Sequence, residues 1–350
     1  MKKKNNKLVK IFAGLLAICI IGAASGYFWI NSWGAAYNEK DTTTKVVEIP
    51  TGSSPGDIGS ILEKEGIIAS GTKFKYFSKL KGFDSKFLAG NYSVSPSMTM
   101  EEICNIIASG KISSSTFTIP EGYNIKQIGK ALEDNGYVTQ KEFLDAATNE
   151  TFEYDFLKDA VAGENHLEGY LYPDTYEIPS GANAKDIIKI FLDNFQLKFK
   201  KEFYAKAEKQ GKTINEIMTI ASIIEREARK ENERKTISSV IYNRLEAGMP
   251  LQMCSTIQYL LGSQKEMLSY DDLAIESPYN TYKNQGLPPG PIGAPGIKSI
   301  EAALNPEKTN YLYFVVSPKL DGSHNFSSDY EKFEKDKEAY NKAYEEQYNK

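Results

Sequence analysis

The chain has 350 residues, of which 41% are hydrophobic and 25% are charged, and its formal net charge is −4. A chain of this length can form two or three domains with buried cores. The small net charge argues against the basic surface that binds nucleic acid, so we expect no nucleic-acid partner. Two histidines and three cysteines are scattered along the chain. This scatter has neither the spacing of a metal site nor that of a disulfide framework, so we expect no metal and no cofactor.

The N-terminus combines a basic segment with a long apolar one. Residues 1–10 contain five lysines, and residues 11–30 carry no charged side chain. Twenty largely apolar residues in a helix span the ~30 Å hydrocarbon core of a bilayer, and flanking lysines stay in the cytoplasm. The pattern predicts a cytoplasmic segment at 1–10, a single transmembrane helix at 11–30 and an extracytoplasmic remainder. The alternative is a cleaved signal peptide, whose apolar core is usually shorter.

A polar linker at residues 31–45 is followed by an internal repeat. Residues 49–68 and 119–138 share Ile-Pro-x-Gly and then the same isoleucine, leucine and glycine positions. Each copy is typical of a strand, a glycine turn and a helix that ends at a glycine. A strand at 90–94 and a helix at 99–109 are predicted between the copies. The repeat therefore predicts small βα modules within residues 46–150 that act as binding modules or as spacers.

The segment 213–230, TINEIMTIASIIEREARK, is predicted to form a central helix of the second half. Thr213 and Glu216 match a capping box at its start. Apolar side chains recur along one face at three- and four-residue spacing. These residues are Ile214, Ile217, Met218, Ala221, Ile224 and Ala228.

Glu225 falls within this apolar face, whereas Arg226 and Glu227 are expected to point into solvent. An apolar environment disfavours the charged form of a carboxyl, which keeps it protonated and able to act as a general acid. Glu225 is therefore a candidate catalytic residue. The structural alternative is an ion pair with an arginine of a neighbouring helix, and Arg244 is the arginine that we nominate.

Other elements are predicted around this helix. They are a long helix at 184–210, a helix at 232–247, a proline-rich loop at 273–291 and a strand at 311–316. A long loop of this kind in a compact domain is usually functional. The segment 166–176, HLEGYLYPDTY, places three tyrosines beside two carboxylates around a glycine and a proline. That density favours a site over a plain core.

Seven motifs occur in order between residues 46 and 333: LEGYLYPDTY, ASIIEREA, IYNRL-x-x-GMPLQ, SPYNTY, GLPPGPI, YLYFV and DGSHNF-x-x-x-Y. Together they resemble the endolytic murein transglycosylases of the YceG-like family. The resemblance implies an α+β fold with an N-terminal transmembrane helix and small LysM-like βα modules at 46–150. It further implies a mixed α/β catalytic domain at 151–333, with the catalytic glutamate on a central helix, and a charged helical tail at 334–350.

The activity that this resemblance implies is that of a membrane-anchored lyase. Such an enzyme cuts peptidoglycan between N-acetylmuramic acid and N-acetylglucosamine inside glycan strands and leaves 1,6-anhydro ends. The family's catalytic glutamate matches Glu225. Implied partners are peptidoglycan strands, the membrane and cell-wall synthesis proteins, and no cofactor is needed.

Tyrosines can stack on sugar rings, and amide, hydroxyl, carboxylate and guanidinium groups can hold sugar substituents. On this basis the candidate substrate-binding residues are Glu168, Tyr170, Tyr172, Asp174, Tyr176, Asn243, Arg244, Gln252, Asn280, Thr281 and Tyr282. Each has a structural alternative. The chain departs from the family where Asp-Pro is usual, because Cys254 and Ser255 stand there. That puts a sugar-orienting role of the aspartate in doubt, and we expect Cys254 to be a buried, unreactive thiol.

Two rival functions remain open. A hydrolytic muramidase needs a second carboxylate about 5–9.5 Å from the acid, and Asp174 is the one we nominate. A non-catalytic wall-binding scaffold is compatible with the repeats and the tail, but it has no need for an acid on the apolar face of a helix.

Overall fold

The structure, a computed structural model, describes residues 12, 16, 32–110, 114–265 and 268–348. The predicted membrane segment at 11–30 lies outside the described residues, apart from Phe12 and Leu16. Within the described part of the chain, no helix combines the length and the apolar character needed to cross a bilayer. The membrane anchor therefore stays a prediction.

The chain divides into two compact units, residues 1–115 with 179–181 and residues 116–178 with 182–350.

The first unit contains the first copy of the repeat. Its elements are β1 (Lys45–Ile49), α1 (Pro55–Lys64), α2 (Gly71–Leu80), β2 (Gly90–Val94) and α3 (Met100–Ser109). β1 and β2 pair antiparallel, with Lys45 opposite Val94 and Ile49 opposite Gly90. Apolar residues of all five elements form one buried core. The strand and the helix predicted between the copies are confirmed.

The second unit contains the second copy of the repeat and the predicted central helix. Its first elements are β3 (Ser114–Thr118), α4 (Ile125–Asp134), α5 (Gln140–Asn149), β4 (Thr175–Pro179), α6 (Ala184–Lys198) and α7 (Lys201–Lys209). They are followed by α8 (Ile214–Glu227), α9 (Arg234–Glu246), α10 (Cys254–Leu261), α11 (Tyr270–Leu273), α12 (Ile297–Leu304), β5 (Tyr313–Val316), β6 (His324–Ser327) and α13 (Tyr330–Tyr348). β3 pairs with β4, and β5 pairs with β6.

The two repeat copies thus fall in different units, and the division near residue 115 differs from the predicted boundary at 150. The physical reason is that Ile119, Ile128 and Leu132 of the second copy share a hydrophobic core with α8. The mixture of helices with small sheets confirms the predicted α+β class. The predicted helix at 184–210 is two helices instead, with the break at Phe199 and Lys200.

The central helix α8 begins where its sequence predicts, because Thr213 and Glu216 form the capping box. It is more deeply buried than an amphipathic surface helix, since every residue from Ile217 to Ile224 is buried. Helices α9, α10 and α12 pack against it. The last turn, which carries Glu225, is less buried than the middle of the helix.

Candidate active site

Glu225 lies in the last turn of α8, where three groups donate hydrogen bonds to its carboxylate. The guanidinium of Arg234, the first residue of α9, donates from Nη2 to Oε1 over 3.0 Å. The backbone N–H of Gly296, at the N-cap of α12, and the hydroxyl of Ser299 donate to Oε2 over 3.0 Å and 2.8 Å. Arg234 Nε also donates to the Ser299 hydroxyl over 3.0 Å. The side chain is held in one position, with 7% of its surface exposed.

The surroundings of Glu225 correct two expectations. We expected an apolar environment, but the carboxyl in the last turn of α8 meets a helix N-terminus, an arginine and a serine. We also expected Arg244 as the ion-pair partner, and the partner is Arg234 instead. The prediction failed because Glu225 follows directly on the buried stretch that ends at Ile224, so its neighbours differ from those of Ala221.

A second carboxyl, Glu121, lies beside Glu225 and was missed by the sequence reasoning. It belongs to the Ile-Pro-Glu-Gly turn of the second repeat copy and is exposed. Its carboxyl lies so close to Gly296 that any β-carbon at Gly296 would meet Glu121 Oε1 at 1.8 Å. Gly296 therefore touches both carboxyls. Partial burial, reinforced by the charge of Glu225, raises the pKa of Glu121.

The turn that carries Glu121 is fixed by backbone hydrogen bonds to the segment before α12. The Gly122 N–H donates to Ala294 O over 2.8 Å, and the Ala294 N–H donates to Tyr123 O over 2.7 Å. Arg226 Nη1 donates to Gly122 O over 3.4 Å. The turn, α8 and α12 thus meet at one point. A comparison of the two repeat copies could have identified Glu121 from the sequence, because the first copy has Thr51, which carries no carboxyl, at the same position.

Glu227 and Cys254 meet on another side of the end of α8. The carboxylate of Glu227 accepts the Ser255 N–H over 3.0 Å and so caps the first turn of α10, although we expected it to be solvated. Cys254 is exposed rather than buried, which corrects a second expectation. Its sulfur lies 3.0 Å from the Tyr282 hydroxyl. Desolvation of the sulfur, together with Glu227, raises the pKa of the Cys254 thiol, and the unreactive thiol stays a prediction.

The Arg244 guanidinium is buried and binds no carboxylate among the described residues. It donates to the carbonyl oxygens of Leu312, over 2.6 Å, and of Pro250 and Leu251, each over 3.0 Å. It also binds Gln252 Oε1 at 3.1 Å and lies 5.1 Å from the centre of the Tyr313 ring. Arg244 therefore ties α9 to two chain segments, and these contacts favour its structural alternative.

Asn243, Asn280 and Thr281 are likewise engaged inside the protein. Asn243 Nδ2 donates to Thr309 O and Tyr311 O over 3.1 Å and 2.8 Å. Asn280 is fully buried and donates to two backbone carbonyls of the loop before it. The Thr281 hydroxyl accepts the Met253 N–H over 3.0 Å. These contacts favour structural roles, since the groups that would hold sugar substituents are already paired.

Three candidate tyrosines lie close to one another on β4 and the segment before it. Tyr170 is fully buried and packs on Phe156 and Phe195, with ring centroids 5.8 Å and 5.5 Å away. The Tyr176 hydroxyl donates to Tyr172 O inside the fold. Burial raises the pKa of Tyr172 to about 12, and the negative charges of Asp174, Glu121, Glu301 and Glu225 add to this effect. Tyr172 is thus the candidate tyrosine whose electrostatic surroundings include Glu225.

Asp174 and Glu168 occupy contrasting environments. The Lys198 ammonium binds Asp174 at 2.9 Å and holds the pKa of that carboxyl below its usual value. Glu168 is buried, and its carboxylate accepts the Ile125 N–H over 3.1 Å and the Tyr259 hydroxyl over 3.2 Å. Burial raises the pKa of Glu168 to about 7. Glu168 lines a polar cavity of about 570 Å³ whose lining does not include Glu225.

Sequence comparison matches residues 47–339 to the profile of the YceG-like family. A relative from Bacillus subtilis (strain 168), named endolytic murein transglycosylase, is 38% identical over 315 residues, which cover 86% of each chain. A relative of the same name from Streptococcus pneumoniae (serotype 2, strain D39) is 32% identical over 332 residues, which cover 87% of this chain and 60% of that protein. A crystal structure of a YceG-like protein from Listeria monocytogenes covers 84% of this chain and 99% of its own, at 35% identity and a TM-score of 0.57. These matches confirm the resemblance drawn from the seven motifs: the chain belongs to the YceG-like family.

Proposed function

We propose that this protein is an endolytic murein transglycosylase in which Glu225 is the catalytic acid and base. The observation that carries the proposal is the carboxylate of Glu225, fixed by Arg234, Gly296 and Ser299 at the C-terminal end of a buried helix. Rigid placement of a reacting group by packed elements is what catalysis requires. The shared name of the Bacillus and Streptococcus relatives supports the choice of substrate.

One carboxyl is sufficient for this reaction. The protonated Glu225 donates its proton to the glycosidic oxygen, and the bond from that oxygen to C1 of N-acetylmuramic acid breaks. The C6 hydroxyl of the same sugar then attacks C1 and returns its proton to Glu225. The products are an N-acetylglucosamine end with a free hydroxyl and a 1,6-anhydro-muramic end. No water is consumed, so no second carboxylate is needed to activate water.

The two oxygens of Glu225 differ in what they can do. Oε2 accepts two hydrogen bonds, from Gly296 and Ser299, whereas Oε1 accepts one, from Arg234. A carboxylate oxygen offers about two lone-pair sites. Oε1 therefore keeps one site for the proton, and we assign the proton transfer to Oε1. Gly296 and Ser299 are positioning groups in this scheme.

Glu121 supplies the negative charge that the reaction needs beside Glu225. Positive charge develops at C1 as the glycosidic bond breaks, and a fixed anion nearby stabilises it. Asp174 is bound to Lys198 and Glu168 caps α4, so these two carboxyls have other partners. Glu121 touches Gly296 on the site itself and remains exposed to a ligand.

The cellular setting of this activity follows from the sequence. The lysine-rich residues 1–10 and the apolar residues 11–30 support a single-pass anchor with a cytoplasmic N-terminus and an extracytoplasmic enzyme. The βα repeats support LysM-like modules that hold peptidoglycan weakly or act as spacers. An anchored endolytic enzyme at this position would limit the length of new strands and work beside cell-wall synthesis proteins.

Digestion of purified peptidoglycan in ¹⁸O-labelled water tests the reaction type. Full-length protein in detergent should release fragments with unlabelled 1,6-anhydro-muramic ends, as judged by mass spectrometry. Labelled reducing ends would show that water attacks C1. The protein would then be a hydrolytic muramidase, a reading that the nearness of Glu121 to Glu225 specifically favours. An absence of any cleavage by folded protein would support the non-catalytic scaffold.

A further inference from the structure

A polar cavity of about 570 Å³ lies in the second unit between the N-terminal end of α4 and the C-terminal end of α10. Its volume falls in the range of about 300–1,000 Å³ that is typical of ligand sites. Neither Glu225 nor the groups that bind it contribute to the lining. If the cavity binds substrate, it therefore binds a part of the substrate other than the sugars at the bond that is cut.

The lining of this cavity is rich in hydrogen-bond donors. The capping box of α4 uses the acceptor oxygens of Asn124 and Gln127, which leaves their NH₂ groups as donors. Asn165 also lines the cavity, and its Oδ1 lies 3.3 Å from the Tyr259 hydroxyl. Lys126 and Lys130 add positive charge to a lining that also contains Glu164 and Glu168. Such a lining suits a ligand rich in carboxylates and carbonyls.

Two buried side chains set the polarity of the cavity wall. Tyr279 is buried, with 7% of its surface exposed, and its hydroxyl makes no hydrogen bond to any described residue. A buried hydroxyl without a partner is costly, and because this oxygen is sealed from solvent, a ligand acceptor pairs with it only when the Tyr279 ring shifts. The carboxyl of Glu168 is already engaged by Ile125 and Tyr259. Glu164 also lines the cavity, and its carboxylate can accept a hydrogen bond from an N–H group of the ligand.

Two chain segments connect this cavity to Glu225. The turn that carries Glu121 continues directly to Asn124 and Ile125, which line the cavity. Four residues span at most ~14 Å even when fully extended. Helix α10 begins beside Glu227 and reaches the cavity at Tyr259. The cavity therefore lies close enough to Glu225 for another part of a polymer bound there to reach it.

We propose that the cavity binds the peptide stem of the peptidoglycan strand whose glycan is cut at Glu225. The inference rests on the proposed function, because it takes the substrate from there. In that substrate the N-acetylmuramic acid at the cut bond carries a peptide on its lactyl group, and this peptide offers the carboxylates and carbonyls that the donors require. Lys126 is the principal charge partner, because Lys130 is shared with Asp134 and Glu133.

The test compares two forms of one substrate, strands that carry stem peptides and strands of equal length from which an amidase has removed them. Lys126→Met and Tyr279→Phe should each raise KM on peptide-bearing strands about three- to tenfold with kcat unchanged, as expected when uniform binding is lost. On stripped strands neither substitution should have an effect. Lys189→Met, at an exposed lysine of α6, is the matched control and should leave both reactions unchanged.

Equal losses on both substrates would overturn the proposal, because they would mean that the cavity holds sugar or supports the fold. Unchanged kinetics in Lys126→Met and Tyr279→Phe would overturn it as well. Direct binding keeps the outcome separate from catalysis: muramyl dipeptide should bind the wild-type protein more tightly than N-acetylmuramic acid does, and Lys126→Met should abolish the difference. If the wild-type protein binds muramyl dipeptide in this way but cuts no strands, the proposed function fails while the cavity assignment survives.

Discussion

The two copies of the repeat have the same local structure and different uses. In both, a strand leads into an Ile-Pro-x-Gly turn, a capping box starts the first helix, and a second helix packs on it. In the first copy the turn residue Thr51 is exposed, and a β-carbon on Gly52 would meet nothing within 4 Å. In the second copy a β-carbon on Gly122 would meet Arg226 at 3.4 Å and Glu225 at 3.9 Å. One turn is a plain connection, and the other forms part of the site.

The difference teaches that a repeated fold element becomes functional through what lies against it. Both Gly52 and Gly122 have positive φ angles, so the backbone of the turn is the same. The second copy shares its core with α8, which brings its turn to the end of that helix. The side chain at the variable position of the turn then decides whether the element contributes chemistry. Glu121 supplies a carboxyl there, and Thr51 does not.

The largest expected effect is at the group that the second turn contacts. Glu225→Gln should lower the rate of strand cleavage about 10²–10⁴-fold, because an amide keeps the shape but cannot donate and recover a proton. The measurement is the initial rate on purified peptidoglycan, with circular dichroism to confirm folding. Near-normal activity in a folded Glu225→Gln variant would remove Glu225 from the mechanism.

The helix pairs of the two copies should differ in their tolerance of a methyl group. A β-carbon on Gly59 would lie 2.5 Å from the backbone oxygen of Gly71, so Gly59→Ala must move α1 away from α2. We expect a loss of about 1–3 kcal/mol in the free energy of unfolding, as for other overpacked positions. Urea denaturation of the full chain measures this loss.

The equivalent substitution in the second copy is the matched control. A β-carbon on Gly129 would meet side-chain atoms of Phe143 at 2.9 Å and Gln140 at 3.3 Å, but no backbone atom of the facing helix. The better helix propensity of alanine, about 1 kcal/mol over glycine, applies to both positions. Gly129→Ala should therefore cost less than Gly59→Ala, because the Phe143 ring can adjust by a smaller movement than a whole helix. An equal loss in both variants would mean that the two helix pairs are packed alike.

Local patterns predicted the elements of this fold well and its contacts poorly. Helix α8 was predicted at 213–230 and is found at Ile214–Glu227, because the capping box and the apolar spacing are both local signals. The break between α6 and α7 was missed, since no glycine or proline marks Phe199 and Lys200. What a helix packs against depends on residues that are distant in sequence.

The same limit applies to the site. Glu225 was found from its motif, but Gly296 and Ser299, which bind it, lie more than 70 residues away, as the separations of 71 and 74 show. Arg234 lies nine residues on, in the same predicted helix as Arg244, and the sequence pattern does not say which of the two arginines meets Glu225. The tyrosines Tyr170 and Tyr176 were assigned to substrate because sequence cannot separate a buried ring from an exposed one. Tertiary packing makes that distinction.

The next effect compares the variable positions of the two turns. Glu121→Gln should lower kcat/KM about tenfold, which is about 1.4 kcal/mol of transition-state stabilisation, because a fixed negative charge is lost beside Glu225. Thr51→Val, the matched change in the first copy, should have no effect on cleavage. Equal effects of the two substitutions would mean that the turns act alike.

The pH profile gives a second readout for Glu121. Burial and the charge of Glu225 raise the pKa of Glu121, so on acidification its negative charge is lost at a higher pH than in an ordinary glutamate. The wild-type kcat/KM should therefore fall on the acid side as Glu121 becomes protonated. In Glu121→Gln the charge is absent at every pH, so this part of the acid limb should disappear. An unchanged acid limb in the variant would assign it to another group.

The smallest expected effect is at Glu227, two residues beyond Glu225 on the same helix. Its carboxylate accepts the Ser255 N–H and so caps α10. The amide oxygen of a glutamine accepts the same hydrogen bond, so Glu227→Gln should change the cleavage rate less than twofold. Glu227→Ala removes the acceptor and should cost about 1 kcal/mol in the free energy of unfolding, as for the loss of other helix caps. A large rate loss in Glu227→Gln with normal stability would show that Glu227 takes part in the reaction. The residues around Glu225 on the side away from Glu121 would then contribute to the site as well as the turn of the second repeat copy.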